Sequence, residues 1–155
     1  MYEDTLIILT TDHGYCFGER EYIGKSYMPA YNELANIPLL VHLPNQKGKG
    51  KAYKQITQNI DLMPTILDYQ EINIPTSVVG KSLRTIIEED KPIQEYALYG
   101  TYGCSVNIYD GQYTYMRGGR DQSQCYEYTT SLTTIRKLVR EKAKKGEKRY
   151  AGLCR

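Results

Sequence analysis

Two adjacent side chains near the start of the chain have the chemistry of metal ligands. Asp12 and His13 follow a short apolar run and offer a carboxylate oxygen and an imidazole nitrogen to one divalent cation. Gly14 comes next, and a glycine lets the chain turn sharply and bring its backbone close to a bound anion. On this dipeptide alone the simpler interpretation is favoured, in which Asp12 caps a turn and His13 makes an ordinary hydrogen bond.

A lysine further along adds a positive charge. Lys25 follows Gly24 directly, and a lysine that leaves a tight glycine turn can reach an anionic ester as a point charge. A solvated loop lysine explains the same residue and is favoured when Lys25 is considered by itself. Only the combination of Asp12, His13 and Lys25 points to a site for an anionic ester.

Two apolar runs are expected to position these residues. Residues 5–9 form a β-branched run that ends at Thr10, and residues 38–43 have the same character. Such continuous runs are typical of parallel strands that are covered on both faces. Ligands bind beyond the carboxyl ends of strands in open parallel sheets, which is where Asp12 and His13 would lie.

Two helices are predicted after these runs. Asp61 can cap a helix over about residues 62–69, and Ser82 can cap a shorter helix over about residues 83–89. Strands and helices in this order indicate an α/β sheet.

The residue pattern of the second part of the chain differs from that of the first part. Tyrosine-rich segments at 96–99, 105–109 and 112–116 predict antiparallel strands, and Asp110-Gly111 is a two-residue hairpin signal. A last helix is predicted over about residues 134–145. We therefore predict two parts: residues 1–92 as an α/β portion, and residues 93–155 as a small antiparallel sheet with a basic C-terminal helix.

Composition excludes several classes of protein. The 155 residues are 41% hydrophobic and 25% charged, so the chain can bury a core, and no apolar run approaches the roughly 20 residues that span a bilayer. No secretory signal is visible. A net charge of +2 does not indicate nucleic acid, and the basic residues 134–155 are interpreted as a solvated face, with a polyanion contact as the alternative. Four cysteines without a C-x-x-C pair argue against zinc and leave disulfides and buried thiols open.

An ordered series of motifs resembles the sulfatase family of the alkaline-phosphatase superfamily. The family pattern is an apolar strand with T-S-D-H-G, a G-[DE]-H-like turn, G-K, an aromatic-Glu pair and a V-P-L-[IL]-V strand. The matching segments in this chain are TTDHG at 10–14, GER at 18–20, GK at 24–25, YNE at 31–33 and IPLLV at 37–41. The segments NIDLMPTILD, GKSL and YDGQYTYM continue the match. The resemblance implies a partial alkaline-phosphatase-like sheet with helices, followed by a small antiparallel β subdomain with a C-terminal helix.

The resemblance also implies roles for the residues at matching positions. Asp12 and His13 match the metal ligands of the family, with calcium as the first expectation and magnesium or manganese as alternatives. Lys25 matches the lysine that contacts the sulfate group, while Gly14 and Gly24 match the turns that shape the site. In the family the metal activates the nucleophile and polarises the ester, and the lysine neutralises charge on the transferred group.

One part of the family pattern is absent from this chain. Sulfatases carry C-x-P-S-R or S-x-P-x-R, in which Cys or Ser becomes formylglycine, and a pair of acidic metal ligands, both well before the D-H-G strand. Neither occurs in the 155 residues, so no catalytic nucleophile is assigned and metal binding by Asp12 and His13 alone is expected to be weak. Cys16 and Arg20 mimic the Cys/Arg spacing without the Pro and Ser, and Cys16 is expected to be a small, partly buried apolar residue.

These observations predict the C-terminal portion of a sulfatase that is inactive alone, as an expressed piece or as a split or truncated gene product. Its expected partners are a sulfate ester in the full-length enzyme and a second copy that covers exposed sheet edges; no nucleic acid and no membrane are expected. Two alternatives stay open. One is a non-catalytic remnant or interaction domain, and the other is part of a phosphonate or phosphate ester hydrolase of the same superfamily.

Overall fold

The computed structural model describes residues 2–25, 28–44, 48–100 and 105–118. These ranges contain seven strands and three α-helices, namely β1 (Ile7–Thr10), β2 (Cys16–Phe17), β3 (Ile23–Gly24), α1 (Asn32–Ala35), β4 (Leu39–His42), α2 (Leu62–Tyr69), α3 (Arg84–Glu89), β5 (Ala97–Gly100), β6 (Val106–Tyr109) and β7 (Thr114–Arg117). The strands form the sheets β1-β4, β2-β3 and β5-β6-β7. The predicted helix over 134–145 and the basic segment lie outside the described residues.

The two apolar runs pair with each other, but in the opposite sense to the prediction. β1 and β4 are antiparallel, with Thr10 opposite Leu39, so the prediction of parallel strands is wrong for this pair. Burial alternates along β1, and the facing residues Leu9 and Leu40 are 63% and 59% exposed. An apolar run shows that a strand forms, but the direction of its partner is set by the connecting segment, which the run does not contain.

Between β1 and β4 in the sequence, β2 and β3 form a short hairpin. Cys16 pairs with Gly24 and Phe17 pairs with Ile23, and the tip at residues 18–22 is closed by a 2.9 Å hydrogen bond from Gly18 N to Tyr22 O. The sequence did not predict this hairpin, because each strand has only two residues.

The helices form where the sequence predicts them, but their first residues behave differently. α2 spans Leu62–Tyr69 as predicted. Asp61 does not cap it, because Asp61 closes a preceding 3-10 turn and has helical backbone angles itself. Ser82 Oγ accepts a 3.2 Å hydrogen bond from Arg84 N at the start of α3, which is the contact expected of a cap.

The small sheet β5-β6-β7 is antiparallel throughout, which confirms the predicted antiparallel strands. The hairpin forms at Asp110-Gly111, but the strands end at Tyr109 and resume at Thr114, so four residues connect them rather than two. Asp110 Oδ1 accepts hydrogen bonds from Gln112 N and Tyr113 N.

The buried apolar side chains come from several elements and from the loops between them, namely Cys16, Leu34, Leu43, Leu83, Ile86 and Ala97. Among the described residues, no helix has the length and apolar character that a membrane span requires.

Candidate functional site

The structure brings three of the predicted site side chains together. Lys25 Nζ contacts His13 Nε2, and His13 Nε2 lies 3.4 Å from Asp12 Oδ2. The hairpin explains this contact, because the pairing of Cys16 with Gly24 places the segment before β2 beside the residue after β3. An anionic group at this point would meet an ammonium, an imidazole and a carboxylate within one small volume.

The backbone fixes the orientation of the imidazole. His13 Nδ1 lies 2.8 Å from Gly14 O, and a carbonyl oxygen can only accept a hydrogen bond. Nδ1 therefore carries the hydrogen, and in the neutral ring Nε2 presents its lone pair to Lys25. The same arrangement is common in histidines that bind metals, where a carbonyl holds the second ring nitrogen.

The carboxylate of Asp12 is held by its neighbours although it is open to water. Its side chain is 83% exposed, and its Oδ1 accepts hydrogen bonds from His13 N at 3.0 Å and Thr11 Oγ1 at 3.3 Å. Desolvation acts to raise the pKa of Asp12, but His13 and these hydrogen bonds together bring it below its ordinary value. The carboxylate is therefore ionised at neutral pH and can act as an oxygen ligand.

Asn59 supports this segment and was missed by the sequence analysis. Its side-chain amide donates a 3.3 Å hydrogen bond to Thr11 O, 48 residues away along the chain. Its position directly before Ile60-Asp61 and helix α2 is the only sequence feature that could have drawn attention to Asn59. No pattern in the neighbouring residues shows that its amide contacts Thr11.

Gly14 is required by a close approach of two backbone segments. Its N–H donates a 2.9 Å hydrogen bond to Leu34 O, and a Cβ at this position would lie 1.9 Å from Glu33 O. The close neighbour is thus the backbone of α1, whereas the sequence suggested a bound anion. Gly24 has a φ of +116°, which favours glycine at the end of β3.

Cys16 has the environment of a structural thiol. It is free and fully buried. Burial raises the pKa of the Cys16 thiol, and the carboxylates of Glu33 and Glu19 raise it further. A neutral, buried thiol is a poor nucleophile, which confirms that Cys16 packs as an apolar residue.

A second charged contact joins the hairpin tip to α1. Arg20 Nε lies 3.4 Å from Glu33 Oε2, and the Arg20 guanidinium lies 4.4 Å from the centre of the Tyr31 ring. Arg20 also has a φ of +54°. In the sequence, Arg20 mimics one position of a nucleophile motif, whereas in the structure its side chain connects the hairpin tip to Glu33 of α1 and to Tyr31.

Asp12, His13 and Lys25 line one part of an open cleft of about 1150 Å³. The cleft continues past core residues such as Leu83 and Ile86. In the described part of the chain, no group of three or more His, Cys, Asp or Glu side chains is placed to hold a metal ion.

Comparison with known proteins gives a consistent family. The family model described as N-sulphoglucosamine sulphohydrolase, C-terminal, matches residues 18–111, a range that includes Lys25 but not Asp12 or His13. The N-acetylglucosamine-6-O-sulfatase of Bacteroides thetaiotaomicron is 31% identical over 88 residues, which are 57% of this chain and 15% of that protein. The arylsulfatase of Clostridium perfringens is 36% identical over 111 residues, 68% of this chain and 23% of that protein. The chain thus spans less than a quarter of either relative.

Solved structures show the same fold. A protein in complex with its substrate D-glucosamine-2-N,6-O-disulfate superposes with a TM-score of 0.66 at 22% identity, covering 93% of this chain and 32% of that one. The phosphonate monoester hydrolase of Silicibacter pomeroyi superposes with a TM-score of 0.58 at 22% identity, covering 92% of this chain and 35% of that one.

Proposed function

The chain belongs to the sulfatase family, in its N-sulphoglucosamine sulphohydrolase C-terminal group, and we propose that it supplies anion- and metal-binding residues for the hydrolysis of a sulfate ester. The observation that supports the proposal is the contact of Lys25 with His13 beside Asp12. Neither contact follows from family membership alone, because the model match begins after Asp12 and His13.

Lys25 is the proposed sulfate-binding residue. Hydrolysis places negative charge on the oxygens around sulfur and on the leaving oxygen, and a fixed ammonium stabilises that charge. Lys25 is exposed and contacts His13 Nε2, so its ammonium can exchange this partner for an anionic oxygen. Gly24 lets β3 end with a positive φ just before it.

Asp12 and His13 fit a hard divalent cation as two of its ligands. Sulfatase-family enzymes generally use a divalent metal, and here an ionised carboxylate oxygen lies 3.4 Å from an imidazole nitrogen. Calcium is the ion we propose, with magnesium and manganese as alternatives. Such an ion, when bound, would place positive charge against the ester oxygens. Since hard cations take six or more ligands, the other ligands must be water, ester oxygens or other side chains.

The nucleophile is not assigned to any described residue, so we propose that the 155-residue chain alone does not turn over a sulfate ester. A non-catalytic interaction domain is the alternative that this leaves open. The likeness to a phosphonate monoester hydrolase favours a second alternative, since Lys25 would neutralise a phosphonate oxygen as well as a sulfate oxygen.

Calorimetric titration of the full chain tests the proposal. In the presence of calcium, Lys25→Ala should weaken the binding of inorganic sulfate about tenfold or more, because one charge-assisted contact is lost. Lys91→Ala is the matched control, since Lys91 is an exposed lysine that contacts Glu89. His13→Ala should weaken calcium binding. Equal sulfate affinities for the Lys25 and Lys91 variants would refute the anion site.

Turnover measurements separate the alternatives. Release of 4-nitrophenol from 4-nitrophenyl sulfate by the purified chain would contradict the proposed inactivity and exclude a purely non-catalytic role. Tighter binding of methylphosphonate than of sulfate, lost in Lys25→Ala, would favour the phosphonate alternative.

Two further proposals concern the whole chain. We propose a division at residues 92/93, supported by the change from helices to the sheet β5-β6-β7 at that point. We also propose that the chain self-associates through the exposed face of β1-β4, supported by the exposure of Leu9 and Leu40.

A further inference from the structure

The segment that carries the proposed cation ligands, residues 11–13, is held at few points. Strand pairing ends at Thr10, the last residue of β1, and the next backbone anchor is the bond from Gly14 N to the backbone of α1. Between these two points, within the ranges that the structure describes, hydrogen bonds from distant residues come from Asn59 and Lys25. The position of the ligands therefore depends on these two side chains.

The two contacts differ in whether they survive the binding of a cation. Lys25 contacts His13 Nε2, which is the ring nitrogen left for a cation because Nδ1 is bonded to Gly14 O. This contact is lost when the imidazole binds an ion. Asn59 instead donates its 3.3 Å hydrogen bond to a backbone oxygen, Thr11 O, and leaves the ligand atoms free. Asn59 can therefore hold the segment both before and after the ion binds.

Asn59 lies on a turn that is itself fixed by the rest of the chain. It is the first residue of a 3-10 turn that ends at Asp61. The buried carboxylate of Asp61 accepts hydrogen bonds from Gln58 N at 2.8 Å and from the backbone before α3 at 2.9 Å. The Gln58 side-chain amide donates a 2.7 Å hydrogen bond to Leu98 O in β5. The neighbouring amides of Gln58 and Asn59 thus connect the small sheet with the segment that carries the proposed ligands.

We propose that Asn59 is a positioning residue for the cation site, an inference that rests on the proposed function. Its amide holds the Thr11 carbonyl and thereby keeps Asp12 and His13 in place for one divalent ion. Ordering a backbone segment costs conformational entropy, so ligands that are ordered before binding bind the ion more tightly. Asn59 needs no contact with the ion, because it acts through the residue before Asp12.

Calcium titration of the full chain, followed by NMR of the Asp12 amide, tests the inference at the site itself. Asn59→Ala should weaken calcium binding about tenfold, the smallest loss typical of a group that orients a metal ligand. Its urea unfolding midpoint should change little, because Asn59 is exposed. Asn59→Gln should retain most of the affinity, since it keeps an amide donor. Asn36→Ala is the matched control, because Asn36 is an exposed asparagine that lines the same cleft.

The outcomes separate the positioning role from the cation site. Equal calcium affinities of Asn59→Ala and the unaltered chain would overturn the positioning role, while a loss of binding in His13→Ala would still support the cation site. If the unaltered chain binds none of calcium, magnesium and manganese, the cation site fails and the role of Asn59 fails with it. A loss in Asn59→Ala that comes with a lowered unfolding midpoint, and that Asn59→Gln does not restore, would make Asn59 a purely structural residue and overturn the inference.

Discussion

At the scale of single residues, His13 is defined by what each of its ring nitrogens contacts. Nδ1 is held by the Gly14 carbonyl, and Nε2 faces Lys25. One lone pair cannot serve an ammonium and a metal ion at the same time. Lys25 must therefore leave His13 whenever His13 binds a cation, and the released ammonium is then available to an anion.

Gly14 occupies a position that has no space for a larger side chain. Gly14→Ala should lower the free energy of unfolding by about 2 kcal/mol or more, because the new Cβ would overlap Glu33 O and force the backbone of α1 to move. Urea denaturation measures this change. Gly118→Ala is the matched control, since nothing lies within 4 Å of a Cβ there, and equal midpoints for the two variants would contradict the close approach.

The buried thiol of Cys16 predicts a pH dependence. Burial raises its pKa in the folded chain, so the neutral thiol is favoured and the unfolded chain loses its proton first. The contribution of Cys16 to stability should be fully present below the ordinary thiol pKa and should be lost as pH rises from that value through the raised pKa of the folded chain. Comparison of the unaltered chain with Cys16→Ala by thermal denaturation from neutral to alkaline pH measures this difference.

Thiol labelling followed by peptide mapping gives an independent check on Cys16. The peptide that contains Cys16 should react slowly at neutral pH in the folded chain and quickly in urea. Rapid labelling under native conditions would contradict both the burial and the raised pKa.

At the scale of elements, Asp61 joins segments that are far apart in the sequence. It is fully buried, and its carboxylate accepts hydrogen bonds from Gln58 N at 2.8 Å, Lys81 N at 2.9 Å and Gln94 Nε2 at 3.2 Å. Gly80 permits this arrangement, because a Cβ there would lie 2.0 Å from Ile60 O. The turn that precedes α2 is thereby fixed to the segments on either side of α3.

Asp61→Ala should therefore destabilise the chain by about 3 kcal/mol, because it leaves buried N–H groups without an acceptor. Chemical denaturation is the measurement. Asp4→Ala, at an exposed position in the first 3-10 turn, should change the unfolding midpoint little. A similarly small change of the unfolding midpoint in both variants would show that water replaces the carboxylate of Asp61 without loss of stability.

The elements also show which sequence patterns are sufficient to predict a helix, a turn or a strand pairing. α2 was predicted correctly because its apolar spacing and Pro64 near its first turn are all local. The turn at Asp110 was located but its length was not, since Asp110 binds two backbone N–H groups through its side chain. The direction of β1 against β4 and the hairpin of β2 and β3 depend on partners elsewhere in the chain, and no local pattern contains them.

At the scale of the whole molecule, contacts join the two predicted parts. Gln58 Nε2 donates a hydrogen bond to Leu98 O, and Lys81 Nζ donates one to Ile93 O. These bonds cross the proposed division at 92/93, so the small sheet packs on the first part rather than standing apart. The candidate site shows the same limit of prediction: the sequence singles out Asp12, His13 and Lys25, which the structure brings together, but it does not show the bond from Asn59 to Thr11.

The exposed face of β1-β4 makes a prediction about assembly. If this face mediates self-association, Leu40→Glu should shift the chain to the monomer, because a charge would replace a 59% exposed leucine on this face. Sedimentation velocity measures the change. Val79→Glu is the control at another exposed apolar residue, and an unaltered chain that is already monomeric would refute the proposal.

The β2-β3 hairpin has a consequence for how this site can vary between proteins. His13 and Lys25 face each other because the hairpin is paired at its open end, by Cys16 with Gly24. Residues 18–22 at its tip play no part in that pairing, so a longer or shorter tip would keep the imidazole and the ammonium in contact. The number of residues between them can therefore vary, and tips of different length would change the surroundings of the proposed anion site while leaving the contact of His13 with Lys25 unchanged.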